Sequence, residues 1–173
     1  MPTIGQSRNH WAAWGRMSTP VWIDKALLDE VSRAAQESPR LRRNRNFHAE
    51  ESAPCNRLLN AIEPNSYIRP HRHSDREKDE SIVCVRGKLG ALFFDETGTL
   101  TQTVTLEAGG DTIGVDIPHG TFHSLVSLEP GTVFFEAKAG PYAPLSEDEV
   151  ATWAPPEGGP DAAAFHAEMR KKF

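Results

Sequence analysis

Cysteine is scarce in this 173-residue chain: Cys55 and Cys84 are the only two, and neither a C-x-x-C pair nor a zinc-ribbon spacing is present. That excludes a thiolate metal site and a disulfide framework, and a chain of this length buries a core without either. Long apolar runs are missing too. No stretch approaches the roughly 18 residues of a membrane helix, and mean hydropathy is −0.50, so no membrane partner is expected. The first sixteen residues (MPTIGQSRNHWAAWGR) hold no apolar run with a cleavage site after it. A reducing cytoplasm with both thiols free is the expected setting. Net positive charge is absent: the chain carries −5, which argues against a nucleic-acid partner. Charged residues at 25% and hydrophobic residues at 38% exclude a coiled coil or a disordered tail protein.

Turn formers, by contrast, are plentiful, with 13 glycines and 13 prolines. In the first half of the chain helical periodicity is confined to Asp24–Gln36, where Leu27, Leu28, Val31, Ala34 and Ala35 recur at three- and four-residue steps behind a capping Asp24. From Cys55 to Lys138 the period falls to two. The strand-like segments 58–62, 80–86, 88–94, 99–106, 112–117, 123–128 and 132–138 are separated by Glu63-Pro64-Asn65, Gly87, Asp95-Glu96-Thr97-Gly98, Gly109-Gly110, Pro118-His119-Gly120 and Glu129-Pro130-Gly131. The fold class is therefore all-β, an antiparallel sandwich or barrel over residues 55–138. A peripheral helix precedes it, and an irregular tail with a short helix near 161–171 follows. A single domain of residues 18–173 behind an extension of residues 1–17 is expected.

Chemistry concentrates in Arg69-Pro70-His71-Arg72-His73. In an extended segment residues two apart share a face, so His71 and His73 can reach one metal ion. Glu80 opens the next strand and His123 heads a later one. Three imidazoles and a carboxylate from separate strands suit one divalent ion, iron, manganese, nickel or zinc, with positions left open for water or substrate. His119, in the Pro-His-Gly turn, is assigned to the rim, and Cys84 to the core. His48 is the single non-ligand nominated for proton transfer.

The spacing Asn65-x5-His71-x-His73-x6-Glu80-x6-Gly87 resembles the first cupin motif, and Pro118-x-Gly120-x2-His123 the core of the second. Asn65 replaces a glycine, Ser127 replaces an asparagine, and the loop before Glu80 is longer than the motif's. Glu77 thus competes at the shorter spacing, but the step to Gly87 favours Glu80. Together with RLRRNRNFH, RLLNAIEPNSYIRPHRH, ESIVCVRGKLGALFFDETG and GPYAPLSEDEVATWAPPEGG, these motifs make the chain resemble the WbuC-type cupin fold metalloproteins over roughly residues 18–173. The resemblance implies a cupin fold, a bound metal and a place in bacterial surface-polysaccharide metabolism.

From Pro39 to Arg76 eight arginines face four carboxylates, a basic excess inside an acidic chain. It points to a small anionic ligand, such as a sugar acid, sugar phosphate or nucleotide sugar. Arg69 shares parity with His71 and is expected beside the metal, with Arg57 and Tyr67 as further substrate contacts and Arg72 facing out. Two functions remain open: a metal-dependent sugar isomerase, epimerase or dioxygenase, or a carbohydrate-binding or regulatory module without turnover. A general base lining the pocket would favour the enzyme. A homodimer also stays open.

Overall fold

The computed structural model describes residues 19–173; the expected extension 1–17, with His10, lies outside them. Helix α1 (Lys25–Gln36) begins where expected, with the Asp24 carboxylate accepting from the Leu27 amide at 3.0 Å. Eight strands follow: β1 (Arg42–Asn46), β2 (Cys55–Ile62), β3 (Glu80–Arg86), β4 (Lys88–Phe94), β5 (Leu100–Glu107), β6 (Gly114–Ile117), β7 (Phe122–Ser127) and β8 (Thr132–Ala139). Helix α2 (Ala162–Arg170) closes the described chain. Among the described residues no helix is long and apolar enough to cross a membrane.

All strand pairs are antiparallel, in a five-stranded sheet ordered β1-β2-β8-β3-β6 and a three-stranded sheet ordered β5-β4-β7. The result is a jelly roll of two sheets, open at its edges, and not a closed barrel. Gly87 is the corner at which the chain leaves β3 in one sheet and enters β4 in the other. It sits at φ +73°, and a Cβ there would lie 2.6 Å from Thr132 Oγ1. Only glycine combines that backbone with that proximity.

Strand β7 is buried along its whole length, between the inter-sheet core on one side and α2 with the tail on the other. Ile62, Ile82, Leu89, Leu106, Leu125 and Phe134 fill the space between the sheets. Val31 and Ala35 of α1 pack on Leu59, Ala61 and Val133 outside the larger sheet. Ala162 and Met169 of α2 cover Leu92 and Val126 outside the smaller one.

Two local features depart from expectation. First, β1 is a strand formed by the basic segment RRNRN, paired along its length with β2. Second, the segment carrying His71 and His73 is not a regular strand. Residues 66–74 form an extended arm held by isolated bridges and followed by a turn at 75–77: His71 exchanges backbone hydrogen bonds with His123 at 3.0 and 2.9 Å. On its other side the Ala151 amide donates to Pro70 O at 3.0 Å, and the Arg72 amide to Glu149 O at 2.9 Å. The tail therefore clamps the arm against β7.

Candidate metal centre

Glu80, the first residue of β3, is 4% exposed and points into the gap between the sheets. His123 on β7 brings its Nε2 to 3.2 Å from Glu80 Oε2, and His73 on the arm brings its Nε2 to 3.3 Å from the same oxygen. The His71 ring lies 4.7 Å from that of His123 and 5.5 Å from that of His73, centroid to centroid. The donor atoms of His71, His73 and Glu80 fall within 4.8 Å of one another, a grouping that can hold a metal ion.

The ring orientations sharpen this. His71 Nδ1 lies 3.0 Å from Arg69 O, and His123 Nδ1 lies 2.9 Å from Thr121 O. A carbonyl only accepts, so Nδ1 carries a proton in both rings and Nε2 is turned into the cluster. Burial drives the His71 pKa down to about 3, aided by His123, so that ring is neutral. Glu80 is held well below the usual carboxylate range. Burial opposes its charge, but His123, His73 and the Lys138 ammonium outweigh that. Its Oε2 nevertheless has no hydrogen-bond donor. Imidazole nitrogens converging on a buried carboxylate form a donor set suited to a cation.

The cluster forms one end of a cavity of about 510 Å³, lined among others by Arg42, Asn56, Asn60, Glu136 and Lys138. Lys138 Nζ stands 3.4 Å from Glu80 Oε1, 3.3 Å from His73 Nε2 and 2.8 Å from Glu136 Oε1. The Asn60 amide donates to Glu136 Oε2 at 2.7 Å. One ammonium thus serves two buried carboxylates. Its own pKa is raised: burial works against the charge, and Glu136 and Glu80 overcome it. Glu136 is pushed up to about 7, chiefly by burial and then by the nearby charge of Glu80.

The candidates chosen from sequence divide cleanly. His71, His73, Glu80 and His123 come together. Glu77 is exposed, and its amide caps onto Asp75 Oδ1. His48 lines the cavity, its Nδ1 accepting from the Arg57 amide at 3.1 Å. Arg57 itself points to solvent on the other face of β2. Arg69 does not line the cavity, because parity has no hold on an arm that is not a strand; its Nη2 donates to Ala151 O at 2.7 Å. Tyr67 is likewise elsewhere, donating to Pro155 O at 2.9 Å and packing edge-on to Phe165. Arg72 faces out, over the Phe122 ring and against Glu96. Cys84 is core, its thiol raised by burial, and His119 sits exposed against Asp79.

Sequence reasoning missed Arg40, Arg42, Asn44, Asn56, Asn60, Glu136 and Lys138, all of which line the cavity. The signal was the alternation 42/44, 56/60 and 136/138: polar residues at same-face positions of strands whose inner face should be apolar.

A family model described as a domain of unknown function, DUF6016, matches residues 23–106. No curated protein matches the chain. Among solved structures, KdgF from Halomonas sp. is similar at 18% identity and TM-score 0.47, covering 62% of this chain and 85% of its own. A Streptococcus pyogenes protein of unknown function gives 12% identity and TM-score 0.46 over 61% of this chain and 80% of its own. A mutant oxalate decarboxylase from Bacillus subtilis gives 20% identity and TM-score 0.48 over 64% of this chain and 28% of its own. The jelly-roll assignment rests on this chain's own strand order and register.

Proposed function

We propose that this chain is a cupin-type protein that binds one divalent first-row metal through His71, His73, Glu80 and His123. In this reading it acts on a small anionic carbohydrate derivative, as a cytoplasmic bacterial enzyme of surface-polysaccharide metabolism. The observation that carries the metal is Glu80 Oε2: a buried carboxylate oxygen with no donor, facing two imidazole Nε2 atoms at 3.2 and 3.3 Å. Nitrogen and carboxylate ligands without thiolate suit manganese, iron, nickel or zinc. When bound, such an ion supplies a Lewis acid that polarises a carbonyl or hydroxyl oxygen of the ligand.

The chain's own residues supply the rest. With Glu80 committed to the metal, Lys138, the buried ammonium beside the cluster, would replace Arg69 as the cation that meets the ligand's anionic group. Glu136, near neutrality in pKa, can take or return a proton at its carboxylate within the same cavity. His48 stands as a second titratable group along the lining. Non-ligand acid–base groups in the cavity favour the enzyme over the binding module.

The test is metal analysis of protein purified without an affinity tag, compared with the double variant His71→Ala/His73→Ala. Stoichiometric metal in the parent and its loss in the variant, with unchanged far-ultraviolet dichroism, is the expected result. Full occupancy in the variant overturns the ligand set. Glu80→Gln should lower occupancy severely and Glu77→Gln mildly.

A further inference from the structure

A sheet face turned toward a second sheet should be apolar. On the five-stranded sheet only part of the inner face is: Ile62, Ile82, Cys84, Ile117 and Phe134 belong to the core. The remainder is amide and charge. Strand register sets Asn44 opposite Asn60, Leu58 opposite Glu136, and Asn56 opposite Lys138, which is in turn opposite Glu80. A row Asn56–Lys138–Glu80 therefore crosses three strands and leads from an amide straight to the candidate metal cluster. A parallel row holds Asn44 and Asn60.

Asn56 is the decisive member. It is 3% exposed, it lines the cavity, and its Oδ1 has no hydrogen-bond partner. An amide oxygen buried this deeply without a donor works against folding, so a purely structural Asn56 would be a liability. Asn60 is committed through its Nδ2 to Glu136, which fixes the plane of its amide. Side-chain amides pair a donor with an acceptor, and so does a hydroxyl group. A ligand with hydroxyls on successive carbons matches such a row; a hydrocarbon chain of equal length leaves every amide unanswered.

We infer that Asn56, Asn60 and Asn44 form a polyol subsite, which takes the hydroxylated carbons of a ligand whose anionic group lies at Lys138 and the cluster. The inference rests on the proposed reading of that cluster for the anionic end only. The amides recognise hydroxyls whatever group terminates the chain.

Three six-carbon probes separate these elements on the Mn²⁺-loaded full chain by titration calorimetry: D-gluconate, hexanoate and D-sorbitol. Gluconate is expected to bind at least tenfold more tightly than hexanoate, which has the carboxylate without the hydroxyls. Asn56→Leu should erase that preference while leaving Mn²⁺ affinity unchanged and the thermal midpoint no lower, since its Oδ1 has no partner to lose and its burial is a cost to the fold. Asn44→Ala, at an exposed strand position, should reduce the preference in smaller measure and serves if Asn56→Leu does not fold. Equal binding of gluconate and hexanoate, a preference that survives the substitution, or no binding by any probe overturns the subsite. Sorbitol binding as tightly as gluconate, with both weakened by Asn56→Leu, would instead remove the anionic reading and leave the polyol subsite supported.

Discussion

Replacing Glu136 with glutamine should change how the stability of the metal-free chain depends on pH. In the wild type, Glu136 is buried beside Glu80, and the single Lys138 ammonium between them holds Glu80 ionised while Glu136 bears the cost. Its pKa is raised from 4.5 to about 7. A carboxyl raised on folding binds more protons folded than unfolded between those values. Its contribution is therefore fully favourable below pH 4.5 and is lost as pH rises through 7. At about 1.4 kcal/mol per pKa unit, that interval is worth about 3 kcal/mol. Glu136→Gln keeps an oxygen for the Asn60 amide and removes the titration. Urea denaturation in the presence of a chelator, from pH 4.5 to 8, is the assay. Subtracting the variant's curve from the wild type's should leave a decline of about 3 kcal/mol across that window. A flat difference, or one in which the wild type gains stability as pH rises, refutes the claim that Lys138 cannot compensate both carboxylates.

Arg69→Ala should lower stability by about 2 kcal/mol, the typical worth of a charged donor's hydrogen bond, and leave gluconate affinity unchanged, because its guanidinium serves Ala151 O and not the cavity. Weakened gluconate binding with an unaltered melting point would return Arg69 to the ligand. Gly87→Ala should cost about 2 kcal/mol or more, from left-handed backbone strain and collision with Thr132; a thermal melt within a degree of wild type would contradict the corner's role. Asp24→Ala should cost about 1 kcal/mol through loss of the N-cap, read by urea denaturation, with metal content unaffected.

What could be read from sequence followed local chemistry. The α1 helix was visible because Leu27, Leu28, Val31 and Ala35 repeat at helical spacing after a capping aspartate, and the seven later strands because their turns are glycine- and proline-marked. Strand β1 was hidden: RRNRN shows no apolar alternation, since the inward side of this edge strand meets a cavity instead of a core. Glu80 could be chosen over Glu77 because one begins a strand and the other lies in a charged loop. The placement of Arg69 failed for a physical reason. Parity describes a paired strand, and the arm around Pro70 is held by isolated bridges. The polar alternation 136/138 marks Glu136 and Lys138 as unusual for an inner face, but their place beside Glu80 was illegible, because only the pairing of β8 with β3 brings Lys138 opposite Glu80 and no local pattern encodes a register.

The arm carrying His71 and His73 has no strand partner of its own on the tail side; it borrows Glu149, Val150 and Ala151. In terms of native-state opening, the arm and that stretch of tail are one cooperative unit, so the amides of Arg72 and Ala151 should share a single opening free energy despite their distance in sequence. Trp153 anchors this unit, with its ring 5.0 Å from Phe94 and 6.0 Å from Phe122. It does not line the cavity. A lesion there should nevertheless register at His71, as faster amide exchange across both segments.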